Sequence, residues 1–450
     1  MALFRSKLMN PICLLMLIAL CSLHIGQAQA IAEQSTVDLP LQDILDRAGP
    51  GETIILPEGT YEGPITISKP LTIRAEREGA VVLRNNSMQT AVTIEAEGTI
   101  LSGIHIEDET FKEEPTVLVT ADSVLLENLH IRTGAHGIAA RDASDGSVTG
   151  STIIWAPQGI RMADKGNGID LLDAHRWKLT NNAIRDVHDA IYLESSDDGV
   201  ITDNVVESSR YGIHTMFSKR TVIERNIGKM NVTGAMVMTA EQTSVKDNTF
   251  VKQSENVNSQ GILLYDAHQI TVSGNAVEGN RVGIYMEQST GNRLEGNQVN
   301  SNFIGLQLVD ASGNEIRANR FFGNVTDAQA RGSEHNTIAD NYWDSFEGID
   351  ADGDGKSDIA YAMNPFFASV AQKRPAFQLF FQSPGMVFLE SLFQSGREGW
   401  SMDASPLMKP PASGYMLEPS DDSRTLTGWT GLVLLGCTSV FILMMRRRKA

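Results

Sequence analysis

The chain has 450 residues, with 37 Lys and Arg against 55 Asp and Glu, and a formal net charge of -18 at pH 7. So acidic a protein repels phosphate backbones and concentrates cations, which excludes nucleic acid as a partner. Its three cysteines, Cys13, Cys21 and Cys437, lie near the two ends. The long middle of the chain therefore has neither a disulfide framework nor a thiolate metal site.

Residues 1–30 have the pattern of a secretory signal peptide. Arg5 and Lys7 precede an apolar run, and Ala28 and Ala30 supply the small residues that a cleavage site needs. A lipoprotein site at Cys21 is disfavoured because Leu20 stands where a small residue is wanted. The sequence thus predicts an exported protein that begins at Ile31.

The C-terminal end has the pattern of a membrane anchor. Residues 428–445 are uncharged and mostly apolar, at the minimal length of a spanning helix, and the basic tail 446–450 follows them. The positive-inside rule places this tail in the cytoplasm and the preceding chain outside. A processed sorting signal is the alternative. Without the six basic residues of the two terminal segments, the exported part carries a formal charge of about -24.

The middle of the chain repeats with a period of 22 residues. A glycine or alanine is the second residue of segments such as "DAIYLESS", "YGIHTMFS" and "TGAMVMTA", and an asparagine recurs with the same period. Both markers shift together at one insertion near "KQSENVNSQ". The asparagines of this series are Asn182, Asn204, Asn226, Asn248, Asn275, Asn297, Asn319 and Asn341.

Each repeat is too short for two packed helices, and its short alternating apolar runs between Asn, Asp, Ser and Gly are typical of strands and turns. The sequence therefore predicts an all-β fold, a right-handed parallel β-helix with one rung per repeat. Stacked rungs would bury a column of Ile, Leu and Val. The asparagines are expected to form a structural ladder, with each side-chain amide bonded to neighbouring rungs.

We expect the β-helix and its N-terminal cap to occupy residues 31–365. Residues 366–394 contain seven phenylalanines and would cap the last rung or dock on a partner. Residues 395–427, rich in Pro, Ser and Asp, are predicted to be a tether to the membrane helix.

Counting within a rung predicts an outward patch of soft metal ligands. Alternation along the strand puts His214 and Met216 on the outer face, and Met236 and Met238 one rung further, about 4.8 Å away. Tyr192 and Tyr265 are expected beside this patch. One interpretation is that the methionines pack under a loop or partner. The other is a Cu(I) site, because thioether and imidazole suit monovalent copper.

A second candidate metal site is the segment "DADGDGKSD". Asp350, Asp352, Asp354 and Asp358 have the spacing of the first part of an EF-hand calcium loop, with a glycine at the tight turn. Tyr361 stands where the usual bidentate carboxylate would be. Structural calcium and a plain solvated acidic loop both remain open.

Several segments, in order along residues 38–411, resemble the NosD family. They are "GNGIDLLDA", "DAIYLESS", "RYGIHTMFS", "DNYWDSFEGIDADGDGKSDIAY", "SPGMVFLESLF" and "SPLMKPP", of which the "NYWD" block with its Asp-rich loop is the most specific. The C-terminal anchor departs from the soluble pattern of that family.

The resemblance implies a non-enzymatic, periplasmic or extracytoplasmic β-helix protein of denitrification. It would carry or present copper, as Cu(I), or sulfur for the copper-sulfur centre of nitrous oxide reductase. The implied partners are an ABC transporter of the NosY and NosF type, the apo-enzyme and a copper chaperone. In this chain a single C-terminal helix would hold the protein at the outer face of the membrane.

Two other function classes remain open. Parallel β-helices also serve as polysaccharide lyases and uronate epimerases, and "RDVHD", residues 185–189, offers an acid, a base and a cation. Since neighbouring strand residues alternate faces, at most about half of these groups can share one surface. A tethered surface adhesin would need only the β-helix itself.

Overall fold

The computed structural model describes residues 41–253, 259–380, 383–393 and 399–411. The predicted signal peptide, membrane segment and basic tail lie outside these residues, as does the centre of the insertion in the repeat. The chain divides into two compact units, Met1–Met408 and Lys409–Ala450. Nearly all described residues belong to the first unit.

The predicted right-handed parallel β-helix is confirmed, with about 13 turns of about 22 residues. Over the described residues its strands form three parallel sheets of 15, 13 and 12 strands, in which each strand pairs with its counterparts one turn away. Along many strands, buried residues alternate with more exposed ones, because successive side chains point to opposite faces. Asn, Asp or Gly with positive φ, such as Asp203 and Gly274, turn the chain at many corners.

Sheet 1 has one short antiparallel strand at its C-terminal edge. The strands of sheet 1, in spatial order, are Thr53–Leu56, Thr72–Ala75, Ile100–Ser102, Leu125–Glu127, Ser147–Thr149, Lys178–Thr180, Val200–Thr202, Val222–Glu224, Ser244–Lys246, Thr271–Ser273, Arg293–Glu295, Glu315–Arg317, Thr337–Ala339, Met402–Asp403 and Tyr361–Ala362. Those of sheet 2 are Gly59–Glu62, Val81–Arg84, Ile104–Asp108, His130–Thr133, Thr152–Trp155, Ala183–Arg185, Val205–Glu207, Ile227–Lys229, Thr249–Val251, Ala276–Glu278, Gln298–Asn300, Arg320–Phe322 and Tyr342–Trp343. Those of sheet 3 are Ile65–Ile67, Val92–Ile94, Val117–Val119, Ile138–Arg141, Ile169–Leu172, Asp189–Glu194, Tyr211–Met216, Thr233–Met238, Gln260–Tyr265, Val282–Glu287, Ile304–Val309 and Thr326–Arg331.

The core is a continuous column of apolar side chains inside the helix. In sheet 3, for example, Ile169, Ile191 and Ile213 stand in register on consecutive rungs, and none is exposed to solvent. Burying one such side chain contributes about 1.5–3 kcal/mol. Because the column is continuous, each rung covers the apolar face of the next, and no rung is expected to be stable alone.

The repeated asparagines form a buried ladder at the corner between sheets 1 and 2. The Oδ1 atom of Asn226 accepts hydrogen bonds from the backbone N–H of Asn204 at 3.0 Å and from its side-chain Nδ2 at 2.9 Å. The Nδ2 atom of Asn226 also donates to the carbonyl of Ile201, at 2.8 Å. The same pattern continues from Asn182 to Asn341, so each side chain of the ladder satisfies buried groups of its neighbours.

Both ends of the helix are covered. At the N-terminal end, the helix Leu41–Arg47 buries Leu41 and Leu45 against the first rungs. At the C-terminal end, Trp343 stacks on Phe321 and Tyr361, and Asp403 accepts hydrogen bonds from Asn341 and Trp343. The sequence analysis assigned residues 401–408 to the tether, but they complete the cap: Asp403 pairs with Ile338 on the last rung and accepts the hydrogen bonds of Asn341.

The described part of residues 366–394 contains the helices Phe366–Lys373 and Pro384–Leu392 and a 3₁₀ helix Pro375–Phe380 between them. A further 3₁₀ helix, Met162–Asp164, lies in the loop before sheet 3. Among the described residues no helix is long and apolar enough to cross a membrane. The predicted anchor at residues 428–445 is therefore neither supported nor contradicted, since it falls outside them.

Candidate metal site on sheet 3

The structure brings the four residues of the predicted copper patch together on the outer face of sheet 3. His214 pairs in register with Met236, and Met216 pairs with Met238, on the adjacent strands Tyr211–Met216 and Thr233–Met238. The three methionines are half-buried. Tyr265 follows Met238 on the next strand, so both predicted tyrosine neighbours lie where the repeat placed them.

His214 is more enclosed than an outward position implies, since only 6% of the residue is exposed. The ring of Tyr192 lies 4.8 Å from its imidazole on the preceding rung, and the ring of Tyr211 lies 5.0 Å away, edge to face. The Tyr192 hydroxyl donates to Glu194 at 2.7 Å, which fixes that ring. Two aromatic side chains thus screen from water a histidine that points away from the core.

A buried carboxylate orients this histidine. The Nδ1 atom of His214 lies 3.0 Å from Oδ2 of Asp189, which is 1% exposed. Arg210 donates two hydrogen bonds to the same carboxylate, at 2.8 and 2.6 Å, and its guanidinium lies over the ring of Tyr211. Burial alone would raise the pKa of Asp189, but the hydrogen bonds from Arg210 and His214 outweigh it and lower this pKa to about 2.

The other ring nitrogen of His214, Nε2, is available to a ligand. Oδ2 of Asp189 lies where it can accept a proton from Nδ1, and in that tautomer Nε2 carries the lone pair that can bind a ligand. This Nε2 atom is buried and has no hydrogen-bond partner among the described residues. A histidine held by a carboxylate through one nitrogen, with the other nitrogen free, is the usual arrangement of a metal ligand.

The sequence analysis did not predict Asp189 and Arg210 as parts of this site. Both belong to a larger polar network: Asn167 accepts from the backbone N–H of Asp189 at 3.1 Å and donates to Asp170 at 2.6 Å. Asp170 in turn contacts His136 at 3.3 Å. The sequence did contain a signal for Asp189. The first position of the sheet 3 strand is an acid on this rung, whereas it is Val282 or Ile304 on later rungs.

The acidic loop is only partly assembled as predicted. Carboxylate oxygens of Asp350, Asp352 and Asp354 lie within 4.8 Å of one another. Asp358 is not in this group; its Oδ2 atom accepts a hydrogen bond from the backbone N–H of Ala351 at 2.8 Å. Asp350 also accepts from two backbone N–H groups of the loop. These carboxylates are hydrogen-bonded to the backbone of their own turn.

The residues of the "RDVHD" segment do not converge. Arg185 ends a strand of sheet 2, whereas Asp189 begins a strand of sheet 3, because the chain turns a corner between them. The carbonyl of Asp186 accepts a hydrogen bond from Lys165 at 2.6 Å. Asp189 contacts the histidine site through its side chain, and the carbonyl of His188 accepts a hydrogen bond from the backbone N–H of Arg210 at 2.6 Å.

Comparison with known proteins gives two matches in sequence. Residues 144–351 match the family model described as periplasmic copper-binding protein (NosD). A protein of Stutzerimonas stutzeri named "Probable ABC transporter binding protein NosD" is 28% identical over 460 aligned positions, which cover 90% of this chain and 96% of the relative.

Solved structures share the fold at low identity. The periplasmic alginate epimerase AlgG superposes with a TM-score of 0.53 at 14% identity, over 68% of this chain and 83% of that protein. The A-module of the Azotobacter vinelandii mannuronan C-5 epimerase AlgE6 gives 0.50 at 15% identity, over 67% and 87%. At this identity the likeness establishes the β-helix alone. The sequence matches go further, and they confirm the predicted resemblance of this chain to the NosD family.

Proposed function

We propose that this protein is a non-enzymatic accessory protein that carries copper, or presents it, during maturation of the copper-sulfur centre of nitrous oxide reductase. His214, Met216, Met236 and Met238 hold Cu(I) in this proposal. The observation that carries it is the buried Nε2 atom of His214. It has no hydrogen-bond partner among the described residues, it lies beside in-register thioethers, and its ring is oriented by Asp189.

The ligand set suits monovalent copper. Thioether sulfur and imidazole nitrogen are soft and borderline ligands, and no cysteine occurs between Cys21 and Cys437 to compete for the ion. Because Met216 and Met238 stand side by side on adjacent strands, about 4.8 Å apart, one ion can contact both. Met236, directly beside His214, supplies a third thioether.

The site also suits an ion that must be released again. Its methionines are half-exposed on an open sheet face and lie at the surface of a strongly acidic protein, which attracts cations. A carboxylate and an arginine preorganise one ligand, whereas the flexible thioethers can be exchanged for those of a donor or acceptor.

The proposed setting follows from the relatives. The family model is described as periplasmic, and the named relative as an ABC transporter binding protein. We place this chain on the outer face of the membrane, with a transporter of the NosY and NosF type, apo nitrous oxide reductase and a copper chaperone as partners. Sulfur is the alternative cargo.

The test is an anaerobic Cu(I) competition titration of the full chain against a chelator of known affinity. We expect a one-to-one site that is lost when His214→Gln, Met216→Leu, Met236→Leu and Met238→Leu are combined. The matched control combines His268→Gln, Met88→Leu, Met162→Leu and Met230→Leu, at exposed or half-exposed residues outside the patch. Equal Cu(I) affinity in the two multiple variants would refute the copper assignment and direct attention to sulfur.

An enzyme acting on acidic polysaccharides is the second candidate. Asp189, Arg210, His214 and Tyr192 form a compact polar group on a fold that epimerases share. However, Arg210 is engaged twice by Asp189, so it is not free to neutralise a substrate carboxylate. Product formation from alginate by the wild-type chain would support the enzyme, and loss of that product in His214→Gln would assign it to this site.

A further inference from the structure

Two histidines stand side by side on the outer face of sheet 2, a different face of the β-helix from the methionine patch. His105, in the strand Ile104–Asp108, pairs in register with His130, in the strand His130–Thr133. Their ring centroids are 4.6 Å apart, with an interplanar angle of 87°. Both side chains point away from the core, because the residues that flank each of them in its strand are buried or face inward.

The surroundings favour neutral imidazoles. Burial lowers the pKa of His105, and Arg132 adds to this effect against Glu107 and Glu109. Burial also lowers the pKa of His130, and His105, Arg132 and Arg185 act in the same direction. Each ring is therefore more readily available as a lone-pair donor near neutral pH than a free histidine is.

A groove of about 440 Å³ opens over the pair. Its lining includes Glu78, Asn128 and Thr152, besides Gly103 and Gly150 at corners of the helix. The two glycines have φ of +75° and +64°, and a Cβ atom at Gly150 would come within 2.4 Å of Oδ1 of Asn128. At Gly150 the missing side chain makes room for the amide of Asn128, which lines the groove beside the rings.

One ring nitrogen in the pair is unsatisfied. The Nε2 atom of His105 is buried and has no hydrogen-bond partner among the described residues. A buried polar atom without a partner is costly to the fold, and a ligand that bonds to it would relieve that cost. The packing of the core gives no reason for a histidine here, since Val82 occupies the same position one rung earlier.

We propose that His105 and His130 chelate a divalent transition-metal ion in this groove, with Cu(II) bound most tightly. Imidazole is a preferred ligand of Cu(II), Ni(II) and Zn(II), and the stability order of these ions favours Cu(II). Residues paired on adjacent strands are close enough to share one ion. Because the rings now meet edge to face, binding requires one of them to rotate until a nitrogen of each points at the same place.

This site is independent of the proposed copper cargo. It contains no thioether, and its chemistry selects a divalent ion, whereas the methionine patch selects Cu(I). Glu78 lines the groove and can supply an oxygen ligand, and Thr152 stands in register with His130 on the next strand. Failure of either site leaves the other unaffected.

The experiment is a Cu(II) competition titration of the full chain, with electron paramagnetic resonance to detect coupling to imidazole nitrogens. All chains carry His214→Gln and Met236→Leu, so that the sheet 3 patch cannot contribute. We expect His105→Gln and His130→Gln each to weaken Cu(II) binding by at least about tenfold and to remove one nitrogen from the spectrum. His268→Gln, at a half-exposed histidine elsewhere, is the control.

A second variant tests the geometry. Thr152→His adds an imidazole one rung further in the same column, and we expect it to tighten Cu(II) binding. Unchanged affinity in both His105→Gln and His130→Gln would overturn the proposal. If only one of the two substitutions weakens Cu(II) binding, the two histidines do not chelate the ion together, and the proposal is equally overturned. Equal melting temperatures of the metal-free variants would show that each affinity change comes from a lost ligand.

Discussion

The asparagine ladder and the His214 site are both polar structures in an otherwise apolar architecture, but they differ in one respect. In the ladder, the Oδ1 and Nδ2 atoms of each amide are bonded to the neighbouring rungs, as at Asn226. At His214 one nitrogen is bonded, and the other has no partner in the part of the chain that the structure describes. Polar groups that are fully satisfied hold the fold together, whereas a preorganised group with a free atom is available for a ligand.

The largest expected effect is on the ladder. Asn226→Ala removes the acceptor of two buried donors of Asn204 and the donor to the Ile201 carbonyl. Leaving such groups unsatisfied should lower the free energy of unfolding by about 3 kcal/mol or more. Urea unfolding of the variant and of Asn86→Ala, an exposed asparagine outside the ladder, measures the difference. If both substitutions lower the free energy of unfolding equally, the ladder hydrogen bonds do not stabilise the fold more than an exposed asparagine does.

The second effect concerns the carboxylate behind His214. Asp189 has a pKa of about 2 in the folded protein against an ordinary value of 3.8, which corresponds to about 2 kcal/mol of stability. A depressed pKa stabilises the fold above about pH 4, and this contribution is lost as the pH falls through 2. Asp189→Asn should therefore be less stable than the wild type at pH 7, and the two should converge in acid.

The same substitution should also weaken Cu(I) binding by about 10- to 100-fold, because His214 loses the partner that fixes its tautomer. Asp203→Asn is the matched control, since Asp203 receives the same two hydrogen bonds from Arg225 at the surface. Stability measured by chemical unfolding at several pH values, and Cu(I) affinity measured by competition, together test the role of Asp189. If Asp203→Asn lowers Cu(I) affinity as much, the effect is one of overall charge and not of orientation.

The contrast also explains which features were predictable from sequence. The ladder and the core column recur with a fixed period, so Asn226 and Ile213 have counterparts on every nearby rung. The partners of His214 do not recur: Asp189 and Arg210 are specific to one rung, and only the folded chain shows that they meet. Asp403 ends the ladder from a distant segment without any periodic signal. The pairing of His105 with His130 could not be predicted from the sequence, because the first rungs vary in length.

The smallest expected effect is on the acidic loop, a third polar cluster, which either is fully hydrogen-bonded like the ladder or has free atoms for a ligand like the His214 site. Asp350, Asp352 and Asp354 approach one another in the acidic loop, yet Asp350 already accepts backbone hydrogen bonds. If the loop resembles the His214 site, calcium should bind through the remaining oxygen lone pairs. At a free calcium concentration ten times the dissociation constant, the stabilisation would be about 1.4 kcal/mol.

The measurement is the melting temperature in calcium and in EGTA, for the wild type, for Asp352→Asn and for Glu347→Gln, an exposed acid just before the loop. We expect calcium to raise the melting temperature of the wild type and of Glu347→Gln but not that of Asp352→Asn. The same melting temperature in calcium and in EGTA would show that the loop, like the ladder, is a structural element and not a calcium site. Its carboxylates would then be satisfied by their own backbone, as the hydrogen bond from Ala351 to Asp358 already illustrates.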